Sequence, residues 1–318
     1  MRVALVLGSG GARGYAHIGV IDALRERNFE IVGISGSSMG ALVGALQAAG
    51  KLDEFTFWAS ALTQRTVLRL LDPSLTAAGV LRAEKILDTV REILGPQHIE
   101  DLPIPYTAVS TDLIAGKSVW LQRGPVDAAI RASIAIPGVI APYLLDGRLL
   151  ADGGILDPLP MAPIAAVNAD MTIAVSLNGN DPAAFRPAEP RPTAELLNRM
   201  RRSTTSLIDR AAASTLLDTP TARSVLSRFS NAVDGIDPAA EPAEETSVPR
   251  LGGFEVMNRT IEISQAALMR HTLAAYPPDL LIDVPRTVCR SLEFYRASEV
   301  IEIGHELACA ALDSVSIG

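Results

Sequence analysis

The stretch that decides the fold is IVGISGSSMGALVGALQAAG at residues 31–50, where a short β-branched run meets a helix of small residues. The join is the Gly-x-Ser-x-Gly pattern of residues 36–40. On a sharp strand-to-helix turn the hydroxyl of Ser38 stands above the sheet, and Gly36 and Gly40 remove side chains that would clash where the chain doubles back. The positive end of the helix dipole lies beneath that hydroxyl. We therefore predict that Ser38 is a nucleophile.

The residues around this pattern decide between a nucleophile and an ordinary turn, because serine and glycine are also common in loops. Residues 29–34 have the apolar run of a buried strand. In the helix that follows, Leu42 and Leu46 share one face, and alanine and glycine fill most of the rest. Because such small residues allow a helix to pack closely on a sheet, the surroundings favour the nucleophile.

The composition indicates one large α/β domain or two small ones. Of 318 residues, 48% are hydrophobic and 20% are charged, which is enough apolar material for a sizeable core. The formal net charge is -8, and no basic face is concentrated enough to neutralise phosphates. We therefore exclude nucleic acid as a partner, and we expect no tight electrostatic docking on anionic lipid.

The N-terminal residues 2–7 are a short apolar run, which we interpret as the first strand and not as a signal sequence. The run begins with one positive charge, that of Arg2, but no small-residue cleavage site follows it. No uncharged stretch of the chain reaches the roughly 18 to 20 residues that a membrane-spanning helix needs. We therefore expect a cytoplasmic protein.

A glycine-rich loop at residues 8–14, GSGGARG, separates the first strand from an amphipathic helix. A dinucleotide-binding fingerprint would need a glycine in place of Arg13 and an acidic residue near Ile34, so that interpretation is disfavoured. Glycines at a helix N-terminus also present free backbone N–H groups to an anion. Because the first two strands of a parallel sheet end at the same edge, the loop is predicted to face Ser38 and to bind an oxyanion.

Strand patterns later in the chain lead to a second candidate, Asp152. Residues 106–121 predict two strands joined by a tight turn, residues 126–135 predict a helix, and residues 143–151 predict a hairpin with Asp-Gly at its turn. The hairpin ends at Asp152, which two glycines follow. Aspartate before glycine is ordinary turn chemistry. A carboxylate at a strand tip with open space beside it is also where a base for a serine hydroxyl would stand.

Taken together, these residues resemble the patatin-like phospholipase family, and in particular its bacterial branch. Five stretches stand in the family's order between residues 3 and 177. They are Gly10-Gly11-Ala12-Arg13-Gly14, Gly36-Ser37-Ser38-Met39-Gly40, Thr111-Asp112-Leu113, Ala132-Ser133-Ile134-Ala135-Ile136-Pro137-Gly138 and Asp152-Gly153-Gly154. A late strand over 278–285 and a closing helix over 298–312 also resemble the family.

The resemblance implies a three-layer α/β/α fold and a Ser-Asp dyad that uses no histidine, metal or cofactor. Ser38 corresponds to the nucleophile and Asp152 to the general base. The amides of Gly10 and Gly11 correspond to the oxyanion hole, and Arg13 lies near a substrate phosphate or stabilises the loop. A carboxylate is a weak base for a hydroxyl, with an ordinary pKa of about 3.9. Proton transfer must therefore accompany attack on the carbonyl carbon and depend on the oxyanion donors.

The four histidines offer a triad as an alternative to the dyad. In the chain order Ser, Asp, His, either His271 or His305 would complete it. Neither lies in a loop after a late strand, where such a histidine usually stands, so we expect partly buried structural histidines instead. The two cysteines, Cys289 and Cys309, lack metal-ligand spacing and are expected to be core thiols.

The domain organisation predicted from the sequence has three parts. Residues 1–180 form the catalytic core, residues 181–275 a variable lid or insert region, and residues 276–318 the strand and helix that complete the core. Within the variable region, an amphipathic segment over 194–217 is expected to pack on the core with a solvated arginine face, or else to form a lid that meets lipid. The acidic, Pro/Ala-rich stretch over 234–249 is predicted to be disordered or to form a mobile loop.

From these observations the expected function is that of a serine acylhydrolase of the phospholipase A, lysophospholipase or carboxylesterase type. It would hydrolyse lipid or short-chain esters through an acyl-enzyme on Ser38. The expected partners are a lipid or ester substrate and, transiently, a membrane surface, so that the cytoplasmic protein associates peripherally with the membrane. The alternative is a regulatory or scaffolding protein that keeps the fold without useful turnover.

Overall fold

The computed structural model describes residues 1–70, 84–179 and 253–315. Two of the sequence predictions, the amphipathic segment over 194–217 and the acidic stretch over 234–249, lie outside the described residues. Within the described ranges the chain forms a sheet with helices on both of its faces.

The sheet has eight strands in the described part of the chain. They are β1 (Arg2–Leu7), β2 (Glu30–Ser37), β3 (Tyr106–Asp112), β4 (Lys117–Leu121), β5 (Tyr143–Leu145), β6 (Arg148–Asp152), β7 (Met171–Gly179) and β8 (Leu280–Pro285). Their order is β5-β6-β3-β2-β1-β7-β8, and β4 also pairs with β3. Strands β3, β2, β1, β7 and β8 run parallel, whereas β4, β5 and β6 join by antiparallel pairing. This confirms the predicted α/β class with a mostly parallel central sheet.

The helices cover both faces of this sheet. They are α1 (Ala16–Glu26), α2 (Met39–Ala48), α3 (Leu52–Ser60), α4 (Gln64–Leu70), α5 (Glu84–Leu94), α6 (Val126–Ser133), α7 (Gly253–Ala275) and α8 (Ala297–Ser314). Successive side chains of β1 point to opposite faces, so Leu5 and Leu7 pack in the larger core with α1, α2 and α8. Ala4 and Val6 pack on the other face with Met269 of α7. The predicted three-layer α/β/α fold is therefore confirmed.

Helix α2 is buried along its whole length, as its composition of small residues predicts. At Gly44 an added Cβ would lie 2.8 Å from the side chain of Ile34 on β2. Glycine at this position therefore lets the helix approach the sheet closely.

The predicted hairpin over 143–151 is confirmed as β5 and β6. Asp146 has φ 49 and Gly147 has φ 75, the two positive values that a type I′ turn requires. Strand β2 differs from its prediction, because it continues to Ser37 and not only to Ile34. Its parallel pairing with β3 extends that far, and periodicity alone does not reveal such pairing.

Helix α7 lies within the range 181–275 that the sequence predicts as a variable lid or insert region. By its contacts it belongs to the same unit as the strands of the sheet. Neither α7 nor any other helix in the described ranges is long and apolar enough to cross a membrane.

The two cysteines differ in their surroundings. Cys289 is buried in the larger core, as predicted. Cys309 is only half-buried, and its sulfur accepts a hydrogen bond from Arg27 at 3.1 Å. The expectation of a core thiol is therefore wrong for Cys309, because α8 places it at the edge of its packed face.

Strand β3 positions the candidate site because two strands share one of its edges. Since β4 pairs with one edge over residues 108–112, β2 and β6 must both pair with the other. Strand β2 ends with Ser37 opposite Val109, and β6 ends with Asp152 opposite Ser110. The last residues of β2 and β6 therefore meet end to end along β3.

Candidate active site

Ser38 stands on a strained turn between β2 and α2. Its backbone has φ 57 and ψ -123, a region that residues with a side chain rarely adopt. Two glycines make the turn possible, because a Cβ on Gly36 would overlap the carbonyl group of Gly40, and a Cβ on Gly40 would overlap the carbonyl group of Leu7. The strand, turn and helix predicted around residues 36–40 are present, and strain of this kind concentrates at functional sites.

Asp152 lies within hydrogen-bonding distance of Ser38. The Ser38 hydroxyl donates to Asp152 Oδ2 at 2.5 Å, and the Gly154 N–H donates to Oδ1 at 2.7 Å. Both side chains are nearly enclosed, since Ser38 is 2% exposed and Asp152 is 4% exposed. The structure thus brings together the two residues predicted as nucleophile and base, although 114 positions separate them in the sequence.

Burial makes the Asp152 carboxylate a stronger base than an ordinary aspartate. Loss of water raises its pKa from 3.8 to about 6, and the hydrogen bonds from Ser38 and Gly154 limit that rise. At pH 7 the carboxylate is ionised and can accept a proton. Burial also raises the pKa of the neighbouring Asp157 to about 6, and the backbone carbonyl of Asp157 accepts the Ser37 hydroxyl at 2.6 Å.

The glycine loop of residues 8–14 is fixed to the protein by some of its backbone N–H groups. The fixed bonds are Gly8 N–H to Val175 at 3.0 Å, Ser9 N–H to Pro158 at 2.8 Å and Ala12 N–H to Ser291 at 2.9 Å. In the described ranges no acceptor is found for the N–H of Gly10 or Gly11. These are the two amides predicted as oxyanion donors, and that role stays a prediction.

The glycine loop, the serine turn and the Asp-Gly-Gly stretch meet at one edge of the sheet. A Cβ on Gly14 would overlap Met39, which directly follows the serine. A Cβ on Gly154 would overlap the Ser9 hydroxyl, and it would lie 2.8 Å from the side-chain nitrogen of Gln265 on α7. The motifs that the sequence predicts at one site therefore lie together, and α7 packs beside them.

Arg13 is buried and paired within the protein. Its guanidinium donates to Glu262 of α7 at 3.1 Å and to the Arg286 carbonyl at 3.4 Å. The Ser291 hydroxyl donates to the same Glu262 oxygen at 3.3 Å. Of the two roles that the resemblance implies for Arg13, these contacts favour stabilisation of the loop. Contact with a substrate phosphate stays a prediction.

Ser133, at the end of α6, is a residue of the site that the sequence analysis did not single out. Its fully buried hydroxyl accepts the Ser38 N–H at 2.9 Å and donates to the Val109 carbonyl at 2.6 Å. The same carbonyl lies so close to Gly153 that a Cβ there would overlap it. Ser133 stands 95 positions from Ser38, so no local spacing points to it. The only signal was its place in a stretch that resembles the family.

In the described part of the chain, none of the four histidines makes a hydrogen bond to Ser38 or Asp152. His17 is fully buried, its Nε2 lies 2.8 Å from the Gly8 carbonyl, and burial lowers its pKa to about 4. The ring is therefore neutral and donates to the glycine loop. His305 is half-buried, and its Nε2 lies 2.9 Å from Glu26 Oε2. For His98 and His271 the expectation of partial burial is wrong, since the loop and helix that carry them leave both exposed.

Hydrogen bonds to Asp152 come from Ser38 and Gly154, and no histidine makes one in the described part of the chain. A triad would need such a bond between the carboxylate and a ring nitrogen. The geometry therefore favours the dyad over the triad. No group of three His, Cys, Asp or Glu side chains in the described ranges is arranged to hold a metal ion.

The fold and the site define an α/β protein with a serine–aspartate pair at the carboxyl edge of its sheet. The chain belongs to the patatin-like phospholipase family, whose model matches residues 5–165. This confirms the resemblance found in the sequence.

Proteins of very different length are similar in sequence to this chain. An uncharacterized NTE family protein of Mycobacterium tuberculosis (strain ATCC 25618 / H37Rv) is 68% identical, over 99% of this chain and 92% of its own. Patatin-like phospholipase domain-containing protein 6 of Homo sapiens is 33% identical, over 56% of this chain and 14% of its own. Neuropathy target esterase sws of Drosophila melanogaster is 32% identical, over 56% of this chain and 13% of its own.

Proposed function

We propose that this protein is a serine acylhydrolase that cleaves lipid or carboxylic esters through an acyl-enzyme on Ser38. The observation that carries the proposal is the hydrogen bond from the Ser38 hydroxyl to Asp152, made on a strained turn. The names of the relatives, which include a phospholipase domain and an esterase, support an ester as substrate.

In the first half of the reaction, the substrate carbonyl carbon is attacked by Ser38 Oγ while the hydroxyl proton passes to Asp152 Oδ2. The negative charge moves to the carbonyl oxygen, which the N–H groups of Gly10 and Gly11 stabilise. When this intermediate collapses, the ester C–O bond breaks. The leaving alkoxide takes the proton from Asp152, so an alcohol departs and the acyl group stays on Ser38.

In the second half, water attacks the acyl carbon and gives its proton to Asp152. The bond between the carbon and Ser38 Oγ then breaks, and the proton returns from Asp152 to the serine oxygen. The products are a carboxylic acid and the original enzyme. One carboxylate serves as base and acid in turn, which suits its pKa of about 6 because both protonation states are accessible near neutral pH.

A fluorophosphonate probe tests this proposal directly, because it labels an activated serine and spares an inert one. We expect labelling at Ser38, identified by mass spectrometry of the labelled peptide, together with turnover of at least one member of a panel of esters of graded chain length. A folded protein that is neither labelled nor active would fit the regulatory or scaffolding alternative instead.

The pH dependence of kcat/KM on a soluble ester should follow the ionisation of Asp152. Activity requires the carboxylate, so we expect kcat/KM to rise tenfold per pH unit below about pH 6 and then to level off. A midpoint near pH 4 would contradict a base in this buried environment.

A histidine base, with an ordinary pKa of about 6.5, would place the acid limb of the kcat/KM profile almost at the same pH. The limb should therefore be measured at two temperatures. The pKa of a carboxyl group hardly changes with temperature, whereas that of imidazole falls clearly on warming. We expect a stationary limb, and a limb that moves to lower pH on warming would point to histidine.

Ser133→Ala should lower kcat with little change in KM. The substitution leaves the buried N–H of Ser38 without an acceptor, a loss of about 1–3 kcal/mol. If the strained turn relaxes by that amount in the ground state and must be restored in the transition state, kcat falls roughly 5- to 150-fold. Ser133→Thr, which retains the hydroxyl, should keep more activity than Ser133→Ala.

A matched control for this experiment is Ser35→Ala on β2. The Ser35 hydroxyl is also fully buried and donates to a backbone carbonyl, that of Pro160, at 2.7 Å. Both alanine variants therefore lose a buried hydroxyl that donates to a carbonyl, but only Ser133→Ala removes the acceptor of the Ser38 N–H. Equal losses of kcat in the two variants would show that the effect of Ser133 is one of general packing.

A further inference from the structure

Two neighbouring hairpins carry large apolar side chains in solvent. Leu113 and Ile114, in the turn between β3 and β4, are 42% and 82% exposed, and Leu144 on β5 is 68% exposed. The hairpins are joined, because the Leu113 N–H donates to the Leu149 carbonyl at 2.9 Å and Leu144 pairs with Leu149 across β5 and β6. We call Leu113, Ile114 and Leu144 the hairpin rim.

The hairpin rim lies beyond the same edge of the sheet as the serine and aspartate pair. Ser110 on β3 is opposite Asp152, and Leu113 follows it by three positions. At about 3.3 Å per strand residue, the rim begins roughly 10 Å past Asp152 along the sheet. A surface that rests on the rim would therefore face the edge at which Ser38 lies.

The turn that carries Leu113 and Ile114 is well ordered by its own hydrogen bonds. Asp112 Oδ1 accepts the N–H groups of Ile114 and Ala115 at 2.9 Å each, and these bonds lower the pKa of the carboxyl group. The Gly116 N–H donates to the Asp112 carbonyl at 2.9 Å. The apolar side chains are thus held out in solvent by a formed turn, which keeps the ordering cost of binding small.

Two positive side chains and one negative side chain are exposed beside the rim, and the buried Asp112 carboxylate adds a second negative charge. Lys117 lies opposite Asp112 in the pairing of β3 with β4, and Arg148 lies opposite Leu145 in the pairing of β5 with β6. The side chains of Lys117 and Arg148 are exposed. The positive charge of Arg148 also lowers the pKa of the Asp112 carboxyl group, so the two hairpin ends are close in space. Asp146 is the exposed acidic group of the second turn. Apolar side chains flanked by Lys and Arg are typical of surfaces that enter the lipid headgroup layer.

We propose that the hairpin rim docks on a phospholipid surface and presents the Ser38 edge of the sheet to it. This inference rests on the proposed function, because a lipid ester must be taken from such a surface. Exposed apolar groups that adjoin one another indicate an interaction site more strongly than single ones do. The flanking Lys117 and Arg148 complement anionic headgroups, while the three apolar side chains enter the layer.

The test compares Ile114→Asp/Leu144→Asp with the parent in co-sedimentation with vesicles of phosphatidylcholine and phosphatidylglycerol. Each apolar side chain withdrawn from the lipid should weaken partitioning roughly ten- to a hundredfold. We expect the double variant to lose sedimentation and the hydrolysis of vesicle phospholipid, while kcat/KM on a soluble short-chain ester stays unchanged. Lys117→Gln/Arg148→Gln should weaken binding only to vesicles that contain phosphatidylglycerol.

A matched control is Phe57→Asp on α3, because Phe57 is 83% exposed and belongs to neither hairpin. It should bind vesicles as the parent does. The Ile114→Trp variant gives a direct readout of insertion, since tryptophan emission at this position should shift to the blue when vesicles are added and should be quenched by brominated lipid. Parent protein that does not bind vesicles, or a double variant that binds as well as the parent, overturns the proposal. If rim-dependent binding is found but no ester is hydrolysed, the docking surface stands and the proposed function fails.

Discussion

The Asp152→Asn variant should hydrolyse esters about 10²- to 10⁴-fold more slowly than the parent, and it should be the more stable protein at pH 7. Asparagine can still accept the Gly154 N–H and can donate to the Ser38 hydroxyl, so the local geometry is retained. It cannot accept the serine proton. The loss should therefore appear in kcat, measured with a soluble ester.

The gain in stability follows from the pKa of Asp152, which is about 6 in the folded protein against 3.8 in an exposed aspartate. The folded state therefore binds the proton more tightly, and the free energy of unfolding falls as the pH rises from about 4 to about 6. Above that range the buried charge costs about 3 kcal/mol. In Asp152→Asn the free energy of unfolding does not fall in this way with rising pH. Urea unfolding should therefore give equal stabilities for variant and parent near pH 4 and a more stable variant at pH 7. Asp157 titrates in the same range in both proteins and cancels in the difference.

The controls for this prediction are His271→Ala and His305→Ala, which should keep most of the activity. A histidine variant that is folded but inactive, combined with an active Asp152→Asn, would show that the base is not Asp152. The asparagine introduced before Gly153 is prone to deamidation, which regenerates aspartate. The mass of each preparation should therefore be checked, and Asp152→Ala should confirm the loss of activity.

Ser38→Ala should lower kcat/KM by about a millionfold, the scale on which loss of a serine nucleophile acts, and should abolish labelling by a fluorophosphonate. The substitution also removes the hydrogen bond that holds down the pKa of Asp152. The pKa of Asp152 should therefore rise in this variant, as carboxyl-selective NMR or infrared titration can show. Labelling that persists at another serine would place the nucleophile elsewhere.

Ser38→Gly separates chemistry from backbone strain. Both Ser38→Ala and Ser38→Gly lack the hydroxyl and should be equally inactive. Only glycine adopts φ 57 without cost, so the glycine variant should be the more stable by about 1–3 kcal/mol. Equal unfolding free energies would mean that the turn around Ser38 is not strained.

The sequence was sufficient for the features that depend on local chemistry. The serine turn needed only Gly36 and Gly40 beside an apolar run, and the hairpin needed only Asp146-Gly147 between two apolar segments. Both have a physical signature within about ten residues. The fold class followed from the same kind of evidence, since apolar runs and amphipathic helices alternate along the first half of the chain.

Contacts between distant segments could not be predicted in the same way. The acceptor of the Ser38 N–H is supplied by Ser133, and Arg13 is neutralised by Glu262 on a helix that the sequence placed in the variable region. Each contact depends on how helices pack across the sheet, which periodicity does not record. The exposure of His98 and His271 was missed for the same reason, since burial depends on which neighbours cover a residue.

The sharing of one edge of β3 by β2 and β6 bears on how this chain can change in length over evolution. Side chains alternate along a strand, so inserting or deleting one residue within 110–112 or 150–152 would turn the Asp152 carboxylate to the opposite face of the sheet. The connection at 134–142 is held at the same point, because the Asp152 N–H donates to the Ala135 carbonyl at 3.0 Å and Ala135, Val139 and Ile140 are buried. The two short paired segments must therefore be inherited with their lengths intact in every lineage of this chain.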